Sequence, residues 1–357
     1  MRIGIPTEVK PFETRVSATP ALVSTLTNSG NVVRVQQHAG EGAGFEDADY
    51  AAAGAEITSA AADVWNNSDL IIKVKEPIAS EYNYFRQDLT IFSYLHLAAN
   101  AELTEALLRS GCTAMAFETV QLPDRSLPLL TPMSEIAGRL SMQIGADLLT
   151  APHGGRGVLL GGITGVQPGS VVVIGAGAAG AQAVDVAIGM QGQVTVIDRD
   201  LQKLHQIEQK YSGRVVTIAA SEIEIANRVA RADLVVTAAL VAGARAPVLV
   251  TNQMIATMAQ GSVIVDIAID QGGNSEPARQ TTHAEPAFTS GPARISCISN
   301  LPAAVPRTAT YALSNAIAPF VLDLAMRDGV PEPDSALAAG VNIAGGKIVH
   351  PALLTKS

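Results

Sequence analysis

A few residues in this chain carry reactive side chains in an otherwise aliphatic sequence. His96 stands in IFSYLHLAAN, where apolar and aromatic residues lead up to a single imidazole and apolar residues resume at once. An imidazole there either satisfies itself by a local hydrogen bond at the end of a buried strand or serves as an acid/base group near neutral pH. Arg15 lies in EVKPFETRVSATP, which reads as a loop after the first strand. Lys73 and Lys75 lie in DLIIKVKEP, two apart, and are expected on one face of a strand at its carboxyl end. Asp270 closes SVIVDIAID, just before Gln271, Gly272 and Gly273. Taken singly, each has an ordinary explanation as a solvated loop charge, a snorkelling lysine, or a helix cap or turn. Their joint placement at strand ends, where open α/β sheets bind ligands, argues for one site.

The motif beside which they would act is VVVIGAGAAGAQAVDVAIGMQGQVTVID, residues 171–198. Gly175, Gly177 and Gly180 have G-x-G-x-x-G spacing, after an apolar run and before an Ala-rich helix. The first glycine makes a tight turn, the second lets backbone approach a pyrophosphate, and the third lets helix pack on strand. The helix N-terminus then offers free N–H groups to the phosphates. Asp198 ends the next strand, 18 residues beyond Gly180, where a ribose-binding acid belongs. A carboxylate there favours NAD over NADP, although the neighbouring Arg199 suits a 2′-phosphate.

These positions need a scaffold, and the alternation of elements supplies it. In residues 1–130 the runs RIGIP, NVVRVQ, DLIIKVK, LTIFSYL and TAMAFE read as strands. TPALVSTLTNSG, DADYAAAG and AELTEALLRSG fall between them as helices. In TPMSEIAGRLSMQIGADLLT, Ile136, Leu140, Ile144 and Leu148 mark one face of a long helix, with Ser134 as its expected N-cap. Six further strands follow: SVVVIG, QVTVID, RVVTIA, DLVVTAAL, SVIVDIAI and ARISCIS. A helix from Tyr311 to about Arg327 leads into a Gly/Pro-rich tail too short to be a domain. The expected fold is α/β, with two Rossmann-like parallel-sheet domains separated by a cleft. The first domain is discontinuous, with a substrate domain at 1–128 and 308–357 and a dinucleotide domain at 129–307.

Composition fits this and excludes other classes. The 357 residues are 48% hydrophobic, 16% charged and 4% aromatic, as buried parallel sheets require. A net charge of −9 argues against nucleic acid. Cys112 and Cys297 fit no metal spacing, so no metal is expected. MRIGIPTEVK has no signal-peptide core, and no apolar run reads as long enough to span a membrane, so a soluble cytoplasmic protein is expected.

The chain resembles the alanine dehydrogenases, relatives of the soluble cofactor-binding part of nicotinamide nucleotide transhydrogenase. The likeness runs through MRIGIPTEVK, ETRVSATP, IIKVKEP, LHLAA, LPLLTPMSEIAGRL, VVVIGAGAAG, VDIAIDQGG and VPRTATYALSNA, in the family's order. It implies reversible NAD-dependent oxidative deamination of L-alanine to pyruvate and ammonium, by a homohexamer. The alternatives are reductive amination of another small 2-oxo acid, or a non-catalytic NAD-binding module of the same fold. The resemblance makes His96 and Asp270 the catalytic pair. Arg15 and Lys75, and not Lys73, become the substrate-binding cations. It lines the cofactor with Ser134, Gly175, Gly177, Ala178, Gly180, Asp198, Lys203, Leu240, Ile267, Asp270, Arg279, Asn300 and Leu301. Two positions depart from the family's pattern: Leu301, where relatives often carry methionine, and Ala220, where some carry serine.

Overall fold

A computed structural model describes residues 1–240 and 245–354. The chain forms two compact units, Met1–Met133 with Ala303–Ser357, and Ser134–Pro302. Leu240 is the last described residue before 241–244, and those four and the final residues of ALLTKS lie outside the described residues.

The first unit is built on an eight-stranded sheet. Its order is Lys347–Ile348, Val341–Ala344, Thr113–Ala116, Thr90–Ser93, Leu70–Ile72, Arg2–Ile5, Val32–Gln36 and Glu56–Thr58. The six strands before residue 117 pair in parallel. The two strands of the tail add antiparallel at one edge. From Arg2–Ile5 the chain runs outward through Val32–Gln36 and Glu56–Thr58, then resumes on the other side at Leu70–Ile72. That reversal makes a switch point between Arg2–Ile5 and Leu70–Ile72, where the loops after the two strands diverge. Helices cover the apolar faces. In Ala101–Ser110 the buried Leu103, Ala106 and Leu107 sit at three- and four-residue spacing. Asn100 caps that helix by accepting from the Leu103 N–H at 3.1 Å, and Gly111 ends it in the left-handed region.

The helix after the second unit starts earlier than its sequence suggests. It spans Pro306–Met326, with Pro306 in its first turn, where a missing N–H costs nothing. By length and composition it could cross a membrane, against the expectation that no apolar run would. Its buried Ala309, Leu313, Ile317, Val321 and Leu324 instead form one face of a core helix. Thr310 and Ser314 on it accept the Val16 and Thr19 N–H groups, tying it to the loop that carries Arg15.

The second unit holds a seven-stranded sheet. Its order is Phe288–Ser290, Ala293–Ser296, Val263–Asp266, Leu234–Thr237, Ser170–Ile174, Gln193–Asp198 and Val215–Ala219. All pairings are parallel except that of Phe288–Ser290. The order reverses between Ser170–Ile174 and Leu234–Thr237, which places the glycine motif at the switch point. One core cluster lies under Val171, Val173, Val194, Val196 and Leu234, and another under Val172, Ile174, Val235 and Ile264. Strands apolar on both faces are the signature of a sheet covered on both sides.

Candidate active site

In the first unit four neighbouring strands each deliver a polar group beyond their carboxyl ends. Arg2–Ile5 leads to Glu8, Glu13 and Arg15, and Leu70–Ile72 to Lys73 and Lys75. Thr90–Ser93 leads to Tyr94 and His96, and Thr113–Ala116 to Glu118.

Arg15 is buried, with a relative exposure of 2%. Glu13 clasps it with two parallel bonds, Nε to Oε1 at 2.7 Å and Nη2 to Oε2 at 2.5 Å. Its Nη1 lies 3.1 Å from the Met133 sulfur. A bidentate pair of this kind fixes the plane of the guanidinium and offsets the cost of burying its charge.

The two lysines sit in different surroundings. The strand ends at Ile72, although the Lys73 N–H still donates to the Phe92 carbonyl at 3.3 Å and the Val74 carbonyl accepts from the Tyr94 N–H at 3.1 Å. Lys73 is buried and bound to Glu81 Oε1 and Oε2 at 2.7 and 2.9 Å, with Glu8 at 3.6 Å. It is an internal ion-pair lysine, held charged against its burial by these carboxylates. Lys75 is partly exposed, and its positive charge helps hold the neighbouring Glu76 carboxyl below its usual range despite burial. Glu8 supports this corner by accepting the Val74 N–H at 2.5 Å and the Lys75 N–H at 3.4 Å. Burial pushes the Glu8 carboxyl up to about 7, against the pull of Lys73 and the Val74 N–H. A cavity of about 170 Å³ is lined by Glu8, Glu13, Arg15 and His38 among others.

His96 is no buried strand-end residue. Its strand ends at Ser93, and its side chain is 44% exposed. Its backbone is left-handed, with φ 49° and ψ 39°, uncommon for a residue bearing a Cβ. The imidazole stacks on Tyr94 with centroids 6.1 Å apart and planes 10° apart. Tyr94 is buried and donates its hydroxyl to the Leu129 carbonyl at 2.5 Å.

The second unit shows what the glycines are for. A Cβ on Gly180 would lie 1.7 Å from the Gly175 carbonyl oxygen, and one on Gly175 2.8 Å from Ala238 backbone. A Cβ on Gly177 would meet nothing within 4 Å. Two glycines therefore serve close packing, and the third opens space in front of the helix Ala178–Gly189. That arrangement fits a dinucleotide pyrophosphate. Asp198 ends its strand and accepts from Ala176 N–H at 2.5 Å and Asp200 N–H at 2.8 Å, tying the acid to the glycine loop.

The remaining expected positions fall as follows. Ser134 is the fourth residue of the helix Thr131–Leu148 and cannot be its N-cap, because the helix begins a turn earlier than read. Asp270 does not end a strand: the strand stops at Asp266, and Asp270 is exposed in the short 3-10 turn Ile267–Gln271 that follows. Ile267 opens that turn, partly buried. Ala178 is exposed in the first turn of its helix, and Lys203 is exposed with Nζ 3.9 Å from Asp200. Arg279 lays its guanidinium over Phe288 at 4.2 Å. Asn300 is left-handed at φ 54°, Leu301 is buried, and Leu240 is half-exposed. Among the described residues no group of His, Cys, Asp or Glu could hold a metal ion, and both cysteines are free and buried.

Several supporting residues escape a reading of the sequence: Glu8, Glu13, Glu118, Met133 and Asp266. Asp266 is buried and accepts from Ala268 and Asn274 N–H and from both donors of Ser275, at 2.8 to 3.1 Å. It holds the turn that presents Asp270. The available signal was an acid next to a strand end or two residues from a buried cation, as in ETR.

Comparison with known proteins agrees with this geometry. Residues 4–137 match the family profile described as alanine dehydrogenase/PNT, N-terminal domain, and residues 141–351 match its C-terminal domain. An alanine dehydrogenase of Mycolicibacterium smegmatis is 50% identical over 355 residues, 99% of this chain and 96% of that one. A solved structure of an L-alanine dehydrogenase superposes with TM-score 0.94 at 46% identity, over 99% of this chain and 98% of that one. A transhydrogenase from Sinorhizobium meliloti superposes with TM-score 0.85 at 27% identity, over 99% and 100%. Likeness of this extent, carried by both units, places the chain in the alanine dehydrogenase/PNT family.

Proposed function

We propose that this protein catalyses the reversible oxidative deamination of L-alanine to pyruvate and ammonium, with NAD as hydride acceptor. The observation that supports the reading is that Arg15, Lys75 and His96 each lie in the segment following the carboxyl end of one of three adjacent strands. Gly175, Gly177, Gly180 and Asp198 would hold the dinucleotide, and the open space at Gly177 is where a pyrophosphate fits. A carboxylate at Asp198 suits ribose hydroxyls and disfavours a 2′-phosphate. Bound NAD supplies the hydride chemistry at the substrate Cα.

The chain's own residues handle charge and protons. Arg15 anchors the substrate carboxylate from a guanidinium already oriented by Glu13, so little freedom is lost on binding. Lys75 adds positive charge at the carboxylate or the developing carbonyl oxygen. His96 takes a proton from the water that adds to the imine and returns it to the departing amine, a task suited to imidazole near neutral pH. Asp270 orients water or ammonia and stabilises cationic imine character. Ser134, Ala178, Lys203, Leu240, Ile267, Arg279, Asn300 and Leu301 complete the cofactor contacts in this reading. The reading also takes the protein to be a cytoplasmic homohexamer. The exposed Leu159, Ile163 and Val166 offer apolar surface for such an assembly to cover.

The test is NADH absorbance on mixing protein, NADH and ammonium with a panel of 2-oxo acids. Consumption with pyruvate is expected. Consumption only with another 2-oxo acid would move the substrate, and none with any would leave a nucleotide-binding module.

A further inference from the structure

His96 owes its place to an unusual backbone, and the structure shows what holds it. The strands Thr90–Ser93 and Thr113–Ala116 run side by side in parallel, with Ser93 opposite Ala116. Past their ends the ladder stops, and the N–H groups of Leu95 and His96 need other acceptors. Glu118, in the short turn Phe117–Thr119, supplies them. Its Oε1 accepts from His96 N–H at 2.6 Å and Leu95 N–H at 3.2 Å, and its Oε2 from Leu95 N–H at 3.3 Å. The same Oε1 lies 3.8 Å from His96 Nδ1.

Glu118 is itself braced. Thr119 donates its hydroxyl to the Ala116 carbonyl at 3.2 Å, and Asn342 of the tail donates to the Thr119 hydroxyl at 2.7 Å. Asn342 also reaches the Gly340 carbonyl at 2.9 Å. A chain of contacts thus runs from the tail strand through the Phe117–Thr119 turn to the corner bearing the imidazole. Left-handed residues with a Cβ persist where the surroundings over-determine them, and here Glu118 accepts the N–H side of the corner while the Ala99 N–H bonds the His96 carbonyl at 3.0 Å.

We infer that Glu118 is the positioning residue of His96, fixing the left-handed turn so that the imidazole is presented in one orientation, stacked on Tyr94. This rests on the reading of His96 as the proton carrier. It assigns Glu118 no contact with substrate. Its effect passes through the backbone, so an acceptor oxygen at this place matters more than the charge it carries.

The experiment compares Glu118→Ala, Glu118→Gln, His96→Ala and the Glu118→Ala/His96→Ala double variant in the full chain, with NADH, pyruvate and ammonium. Glu118→Ala is expected to lower kcat roughly ten- to a hundredfold, as misplacement of a catalytic group does. KM for pyruvate and the Kd for NADH should stay within about threefold, since neither binding determinant has moved. Glu118→Gln keeps an acceptor oxygen and should restore most of the lost kcat. In the His96→Ala background Glu118→Ala should cost no more than about twofold further, because residues acting as a unit are not additive. Amide exchange over residues 94–100 should quicken in Glu118→Ala.

Wild-type kcat in a folded Glu118→Ala variant overturns the proposal. So does a full loss in the double variant beyond His96→Ala alone, which would place Glu118 in some other role. A Glu118→Gln variant that melts normally but stays as slow as Glu118→Ala overturns the acceptor role, and this holds even if Glu118→Ala does not fold. Normal turnover in His96→Ala has a different meaning. It removes the proton-carrier reading beneath the proposal, and is told apart because Glu118 plays no part in it.

Discussion

Two glycines three residues apart make opposite predictions. A Cβ at Gly180 would stand 1.7 Å from the Gly175 carbonyl oxygen, where real contacts essentially never fall below 3.0 Å. The helix Ala178–Gly189 would have to back away from the turn by roughly 1.3 Å, and a backbone atom cannot swing aside as a side chain can. Gly180→Ala is therefore placed at the upper end of overpacking costs, about 3 kcal/mol. In a domain of this size each kcal/mol lowers Tm by about 2–4 °C, so a drop of about 6–12 °C is expected. Gly177 is the reverse case. A Cβ there meets nothing, and its φ of −72° with ψ of −171° suits alanine. Alanine is a poorer N-cap than glycine by about 0.5–1 kcal/mol, and restricting the unfolded chain returns about 0.4–1 kcal/mol. The melting point should hold within about 2 °C. The methyl group instead occupies the room where backbone approaches a pyrophosphate, so NADH should bind at least tenfold more weakly, about 1.4 kcal/mol. Thermal melting and titration calorimetry with NADH read both quantities on both variants. Unchanged NADH affinity in a folded Gly177→Ala variant would refute the assignment of that space to the cofactor. A wild-type melting point in Gly180→Ala would refute the packing argument.

Three further outcomes follow from the other half of the molecule. His96→Ala should lower turnover about a hundredfold or more, while NADH binding by fluorescence stays as in the wild type; near-normal turnover would return the imidazole to a structural role. Arg15→Lys keeps a charge beside Glu13, so the protein should fold, but it loses the fork and should raise KM for pyruvate about tenfold with little change for NADH; equal effects on both would count against carboxylate binding. Burial lifts the Glu8 carboxyl from 4.5 to about 7, so the folded state holds a proton there that the unfolded chain has lost. This stability is fully present below pH 4.5 and lost as pH rises to 7, about 3 kcal/mol in all. Glu8→Gln should flatten that slope in denaturant titrations run from pH 5 to 8, and an unaltered slope would show that the proton is carried elsewhere.

How much of this was legible in the sequence depends on element length and on the kind of residue. Six of the seven strands from Ser170 to Ser296, all but the short Phe288–Ser290, were readable because each is a run of branched aliphatics between turn residues. Glu56–Thr58 and the helix Ala61–Asn66 are too short and too mixed in polarity to show a period. The hairpin Val341–Ala344 with Lys347–Ile348 hid in a tail read only as rich in glycine. Yet Gly345 and Gly346, both at positive φ, are the two-residue turn that a hairpin asks for. Strand ends were overrun in every case that mattered. His96 and Asp270 lie past the ends of their strands, and Lys73 lies one residue past Ile72 with its N–H still bonded to the Phe92 carbonyl at 3.3 Å, because apolar sequence continues into the corner while regular pairing does not.

The carboxylates behind these corners have a common physical origin. Where parallel strands end, successive N–H groups lose their ladder partners together, and a buried, unpaired N–H is costly. A carboxylate from the same or the next strand can accept two or three of them at once. Glu118 does so for Leu95 and His96, Glu8 for Val74 and Lys75, and Asp266 for Ala268, Asn274 and Ser275. Each stands directly behind a residue assigned to substrate or proton chemistry. Such acids leave no periodic trace and look like any surface glutamate in one dimension. Their function becomes visible only when the ladder's end is known, which is why the sequence points to His96, Lys75 and Asp270 but not to the groups that aim them.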